Sequence, residues 1–179
     1  MEKAWRNDAV SKVTGRARYT DDIKMPGVLH AVPVYADYIH ARIVEIDAAD
    51  AAKSWGVVRV ITAKDVPGGN RGGQILKDVH VLADDKIRYH GDVVAVVAAE
   101  TRARAISAAK KVRVLAEPLH EILDPDTALA PGAPLVHEER GSNLIHRHVI
   151  RRGDTARGFA DSAHVLEQEF RTPFVEHAY

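Results

Sequence analysis

Glu176 and His177 are adjacent, a carboxylate beside an imidazole in a segment whose alternation reads as extended. Such a pair could take part in proton transfer, yet no nucleophile or metal set accompanies it. His146 and His148 stand two apart. On a strand they would share a face, as two metal ligands do, but no third ligand follows at a recognisable spacing. A solvated strand face is the simpler reading. His30, His40, His80, His90, His120, His137 and His164 are scattered and form no motif. Asp21-Asp22 and Asp84-Asp85 are adjacent acidic pairs, whose side chains point apart in most backbones; turns explain them better than acid–base chemistry. The loop from Gly68 to Gly73 has the glycines of a phosphate cradle. It lacks the lysine and hydroxyl residue of a P-loop, and no strong helix follows it, so it reads as a solvent or docking loop. None of the serines at 11, 54, 107, 142 and 162 sits in a G-x-S-x-G context.

The elements that would position these residues are legible. Residues 93–118 read as strand, helix, strand. Residues 93–99 are an unbroken valine- and alanine-rich run, as expected of a strand covered on both faces. Thr101 can cap a following helix in which Ala105, Ile106, Ala108 and Ala109 form the apolar side. Residues 112–115 make a second strand, stopped near Pro118. The pattern predicts a parallel crossover. Residues 42–62 repeat the order strand, helix, strand, with Gly56 ending the helix, but show no residue-level repeat of the first unit. Further strands are expected at residues 28–34, where Pro33 restricts pairing, and at 79–82, 87–89 and 165–170. Residues 1–20 and 143–151 read as extended. One helical turn is expected at 63–66, and short helices follow Asp124-Pro125 and Gly153-Asp154.

The totals narrow the function. The chain has 179 residues, with 25 Lys+Arg balanced by 25 Asp+Glu and no cysteine. Zero cysteines exclude disulfides, cysteine-ligated iron–sulfur clusters and thiol nucleophiles within this chain. Balanced charge argues against nucleic acid or a membrane surface as the main partner. The longest apolar run is far short of the ~20 residues that span a bilayer. The first ten residues hold no apolar signal segment. The expectation is a cytoplasmic α/β protein. The alternation running into Ala178-Tyr179 reads as a polypeptide cut short, or one whose partner is a separate chain.

A family resemblance adds to this. Residues 13–22 (VTGRARYTDD), 26–31 (PGVLHA), 40–43 (HARI), 87–101 (IRYHGDVVAVVAAET), 117–119 (EPL), 131–137 (PGAPLVH), Gly153-Asp154 and 172–179 (TPFVEHAY) occur in order along nearly the whole chain. Together they resemble the amino-terminal part of the molybdenum-binding subunit of the xanthine dehydrogenase / aldehyde oxidase family. The resemblance implies an α/β hammerhead domain, a mixed α+β fold with mixed sheets and short crossover helices. It implies an N-terminal arm over residues 1–20, a hammerhead core over 21–140, and over 141–179 a linker with the start of a molybdopterin-binding domain. The intact enzyme would be a molybdenum hydroxylase, inserting water-derived oxygen into a C–H bond of an aldehyde or N-heterocycle. It would carry molybdopterin, 2Fe–2S clusters and, in some members, FAD. The partners implied are a molybdopterin-binding domain or subunit, an iron–sulfur subunit and an FAD subunit. The family's catalytic glutamate and nearly all its pterin loops lie downstream of the matched region. This chain is therefore expected to scaffold, to hold no cofactor or metal, and to be inactive alone. Only Val175, Glu176 and His177 would come near the molybdenum site. Val175 stands where purine-oxidising members have a glutamine, and Gly91-Asp92-Val93 where many members have Gly-Gln-Pro, which leaves the substrate open. The alternative is a stand-alone binding or interaction module derived from that domain. It should be covered by polar surface and carry one concave pocket, whereas a scaffold should expose apolar side chains where its neighbours belong.

Overall fold

A computed structural model describes residues 6–74, 76–173 and 175. The chain divides into two units, Met1–Asn143 and Leu144–Tyr179. The first begins with helix α1 (Ala9–Val13) and a 3-10 turn at Thr20–Asp22. The extended arm expected over residues 1–20 is corrected for its described part. Asp8 folds it back, taking a 2.9 Å hydrogen bond from Ser11 Oγ on its carbonyl and pairing its carboxylate with Lys12. There follow β1 (His30–Tyr35), β2 (Ala41–Asp47), α2 (Ala49–Ala52), β3 (Val57–Thr62), a 3-10 turn at Ala63–Asp65, β4 (Arg71–Gly72), β5 (Val79–His80) and β6 (Lys86–Ile87). Then come β7 (Val93–Ala99), α3 (Arg102–Ala109), β8 (Arg113–Pro118), α4 (Pro125–Leu129) and a 3-10 turn at Glu138–Arg140.

The strands form two three-stranded sheets, β1-β7-β3 and β6-β2-β8, and a ribbon of β4 with β5. All five pairings are antiparallel. This corrects the parallel crossover. The two strands of each strand–helix–strand unit never pair, because they belong to different sheets. β2–α2–β3 carries the chain from the second sheet to the first, and β7–α3–β8 carries it back. The short helices act as bridges between sheets, a job that places no demand on strand direction.

β7 is central in its sheet and is packed from both sides, as its composition predicted. Val97 meets Ala51 of α2 and Ala108 of α3, with Val57, Val60 and Val112 around them. Val94, three residues earlier and so on the other face, joins Ala36, Ala41, Ala83 and Ile87. Ile87, Val94 and Val97 are the largest side chains that are fully buried, so this core is built mostly from alanine and valine. Thr101 caps α3 through its side chain, which accepts a hydrogen bond from Arg104 N at 3.3 Å. Ala105 and Ala108 are buried, whereas Ile106 faces outward, narrower than the apolar side expected. Pro33 is accommodated because β1 is an edge strand. The turn into β7 needs Gly91, whose φ of 86° is costly for other residues.

In the second unit Asp154 caps α5 (Thr155–Ala160), accepting from Arg157 N at 3.0 Å. The described residues on either side of it are irregular and exposed. The strand expected at 165–170 is absent among them, and residues 143–151, expected to be extended, form no strand. A strand would need a partner for its backbone groups, and none of the described residues supplies one. No helix among the described residues is long and apolar enough to cross a membrane.

Candidate functional site

The densest polar arrangement lies where β5, β6 and the turn between them meet residues 135–140. Lys86 opens β6 with only 6% of its side chain exposed. Its ammonium donates to Glu138 Oε1 at 2.7 Å and to the Leu135 carbonyl at 3.2 Å. That hydrogen bond holds the Glu138 carboxyl below its ordinary range. Arg71 pairs with Glu139 at 2.8 Å, and Arg140 with Asp78 at 2.7 Å. Three ion pairs thus fasten residues 138–140 to β4, β6 and the segment before β5. His137 sits among them. Burial, reinforced by the Arg88 cation, pushes its pKa down.

Beside this lattice, Asp84 and Asp85 form the turn expected of them. Asp84 Oδ1 accepts from Asp85 N at 2.9 Å. Asp85 Oδ1 accepts two hydrogen bonds from the Arg88 guanidinium, each 3.2 Å. Partial burial raises the Asp85 pKa, but Arg88 and the Asp84 hydrogen bond outweigh it, and the net shift is downward. His80, at the end of β5, turns its ring to the same place, with Nε2 3.5 Å from Asp84 Oδ1. One ligand atom from each of His80, Asp84 and Asp85 falls within 4.8 Å of the others. His80 carried no signal in the sequence, because i,i+4 spacing means neighbours on a helix and this segment is strand and turn. Only the β4–β5 register and the bend at Val81-Leu82 bring it there.

The other candidates are not assembled into a site. The glycine loop docks: Asn70 donates Nδ2–H to Leu82 O at 2.7 Å and accepts from Leu82 N at 3.1 Å. Its last residues form β4 rather than a cradle at a helix start. Asp22 belongs to a 3-10 turn and accepts from Tyr19 N at 2.9 Å. The rings of His146 and His148 lie 6.2 Å apart in an exposed irregular segment, not on a strand. Val175 is exposed. Glu176 and His177 lie outside the described residues. Two clefts flank the second sheet. One of about 290 Å³ runs along residues 43–46 of β2 to Thr62, Lys64 and Asp84. Another, of about 410 Å³, is bounded by Val34, Tyr35, Asp37, Tyr38, Val112 and Val114.

Likeness to known proteins covers the same ground. The profile of the family described as aldehyde oxidase and xanthine dehydrogenase, a/b hammerhead domain, matches residues 14–120. A probable xanthine dehydrogenase subunit from Bacillus subtilis (strain 168) is 39% identical over 174 residues, 97% of this chain and 23% of that protein. A nicotinate dehydrogenase large molybdopterin subunit of Eubacterium barkeri is 34% identical over 174 residues, 96% of this chain and 40% of that one. The crystal structure of quinoline 2-oxidoreductase from Pseudomonas putida 86 superposes with a TM-score of 0.78 at 32% identity, over 89% of this chain and 21% of the other. The chain thus spans less than half the length of these relatives. Its interleaved antiparallel sheets, bridged by α2 and α3, lie within the matched residues, and the chain belongs to the aldehyde oxidase and xanthine dehydrogenase a/b hammerhead family.

Proposed function

We infer that this chain works as a scaffold within a molybdenum hydroxylase that oxidises an aldehyde or an N-heterocycle. The observation that carries the reading is the hammerhead match over residues 14–120 in a chain that corresponds to only 23% of a xanthine dehydrogenase subunit. The remaining length of such a subunit has room for the catalytic groups. Names among the relatives support the substrate class: xanthine, nicotinate and quinoline are N-heterocycles. The partners would be a molybdopterin-bearing domain or subunit, an iron–sulfur subunit and, in some assemblies, an FAD subunit, in the cytoplasm. In such an assembly residues 1–20 would be an arm, 21–140 the hammerhead, and 141–179 the lead into the cofactor domain, with Val175, Glu176 and His177 closest to the metal. The exposed apolar side chains of the second unit support an interface there: Ile150 is 83% exposed, Leu166 89% and Phe170 81%.

Neither the larger flanking cleft nor the Gly68–Gly73 loop fits molybdopterin. The cofactor's phosphate calls for cations or a backbone N–H nest. The larger flanking cleft offers Asp37 and no cation, and the Gly68–Gly73 loop commits its polar groups to Leu82 and Glu139. No catalytic step is therefore assigned to these residues. Their contribution is shape: two sheets packed together through the cluster of Val94, Ala41 and Ile87, with α2 and α3 against the first sheet, present a firm support for neighbouring domains.

The test is the molybdenum content of material drawn gently from its native cell, with the co-purifying polypeptides identified. Molybdenum should accompany the chain only when a larger cofactor-bearing polypeptide is present. Stoichiometric molybdenum on the purified 179-residue chain, or the chain recovered with no oxidoreductase partner and no molybdenum, would overturn the reading.

A further inference from the structure

We propose that His80, Asp84 and Asp85 form a binding site for one divalent ion of the zinc class, independent of the cofactors of the intact enzyme. Two observations converge. Their ligand atoms already lie within 4.8 Å of one another. Ligands around a tetrahedral Zn²⁺ at about 2.0–2.2 Å stand roughly 3.5 Å apart, so closure asks for shifts of an ångström or so. The two aspartates can supply them, since they lie on a turn with 47% and 66% of their side chains exposed.

The second observation is the state of His80. Its side chain is 3% exposed, its Nδ1 is buried without a partner, and its Nε2 makes only the 3.5 Å contact with Asp84. Burying an imidazole with no hydrogen bond of normal length is costly. A metal bond from Nε2, the nitrogen that faces Asp84, would give the ring one strong partner, while Nδ1 stays buried and unpaired. Arg88 is the competitor for this position. The Arg88 guanidinium sits on Asp85 Oδ1 and balances part of the charge of two adjacent carboxylates. Asp85 would exchange Arg88 for the metal. Asp84 would use Oδ1, the oxygen 3.5 Å from His80 Nε2, which also accepts from Asp85 N. Water would complete the coordination on the open side. One imidazole with two carboxylates suits Zn²⁺ and its neighbours better than Ca²⁺, which prefers six to eight oxygens.

The test titrates the chelator-stripped 179-residue chain with Zn²⁺ by calorimetry and with Co²⁺ by visible absorption. Expected are one site of micromolar affinity, d–d bands of low-symmetry Co²⁺, and about tenfold or greater weakening by Asp84→Asn. His80→Gln should abolish the site. Arg88→Met should tighten it by freeing Asp85. The double variant His146→Ala/His148→Ala should leave it unchanged. Thermal melts check that each variant is folded, and Asp84→Asn, at an exposed position, keeps the test valid should His80→Gln fail to fold. Binding no tighter than millimolar, binding that survives Asp84→Asn, or binding lost in the His146/His148 variant would each refute the site. None of these outcomes depends on the molybdenum reading.

Discussion

Replacing Ile87 by alanine tests where the strength of this domain lies. Ile87 is fully buried, and the buried residues that share its cluster are Ala36, Ala41, Ala83 and Val94. The substitution removes three carbons, about 2.4 kcal/mol at ~0.8 kcal/mol each. A cavity term is added to that. The buried alanines have no side-chain torsion with which to follow the lost atoms, whereas Tyr38, Ile43 and Ile46, packed against the cluster, can fill part of the space. The total should reach about 3–4 kcal/mol, in the middle of the usual range for Ile→Ala. With a urea slope near 2 kcal/mol/M, the unfolding midpoint should fall by roughly 1.5–2 M. Leu115→Ala is the control: that residue lies on β8 and is 58% exposed, so its midpoint should move by under about 0.5 M. Urea titrations followed by far-ultraviolet circular dichroism measure both. Equal shifts for the two variants, or a shift under about 0.5 M for Ile87→Ala, would refute the claim that the alanine-walled cluster carries the fold.

Two further outcomes follow from the polar contacts. Backbone and side-chain hydrogen bonds from Thr62, together with the Arg59 guanidinium, hold the Asp65 carboxyl down at about 2. A depressed folded value gives stability that is complete above the ordinary carboxylate range and is lost as pH falls through it toward 2. Asp65→Asn should flatten that part of the acid limb of the urea midpoint against pH, and an unchanged limb would contradict it. Glu138→Ala leaves the Lys86 ammonium buried with the Leu135 carbonyl as its remaining hydrogen-bond partner. It should cost about 1–2 kcal/mol and raise amide exchange over residues 135–140, while exchange in β7 stays as it was.

The elements were readable from the sequence where the signal is local. Thr101 capping α3, Asp124-Pro125 opening α4 and the apolar density of β7 all act within a few residues, and all three stand. Pairing is a long-range property. Whether residues 113–118 lie beside 93–99 depends on what covers each sheet, not on the helix between them. One hint was available: Val114 and Ala116 alternate with the exposed Arg113, Leu115 and Glu117, the pattern of a one-sided antiparallel sheet rather than of a buried parallel one. The strand expected at 165–170 had alternation without a partner. The His80 cluster was half legible. Asp84-Asp85 announced a turn, but nothing near it in the sequence announced the histidine. The ion pairs of Lys86, Arg71 and Arg140 reach across 52 to 68 residues and leave no local trace.

The reciprocal crossing of α2 and α3 has a bearing on how the chain is made. One sheet draws on residues 30–35, 57–62 and 93–99, and the other on 41–47, 86–87 and 113–118. During synthesis the first sheet lacks its central strand until Ala99 has left the ribosome, and the second lacks an edge until Pro118 has done so. Until Ala99 has emerged β1 and β3 lack their partner, and until Pro118 has emerged β2 has only the two-residue β6 beside it, the kind of exposed edge on which chains associate with one another. Most of the gain in order must arrive within the last twenty or so residues of this stretch. A chaperone that holds the nascent chain would matter most in that window, and a pause in translation once residue 118 has cleared the ribosome would favour correct assembly.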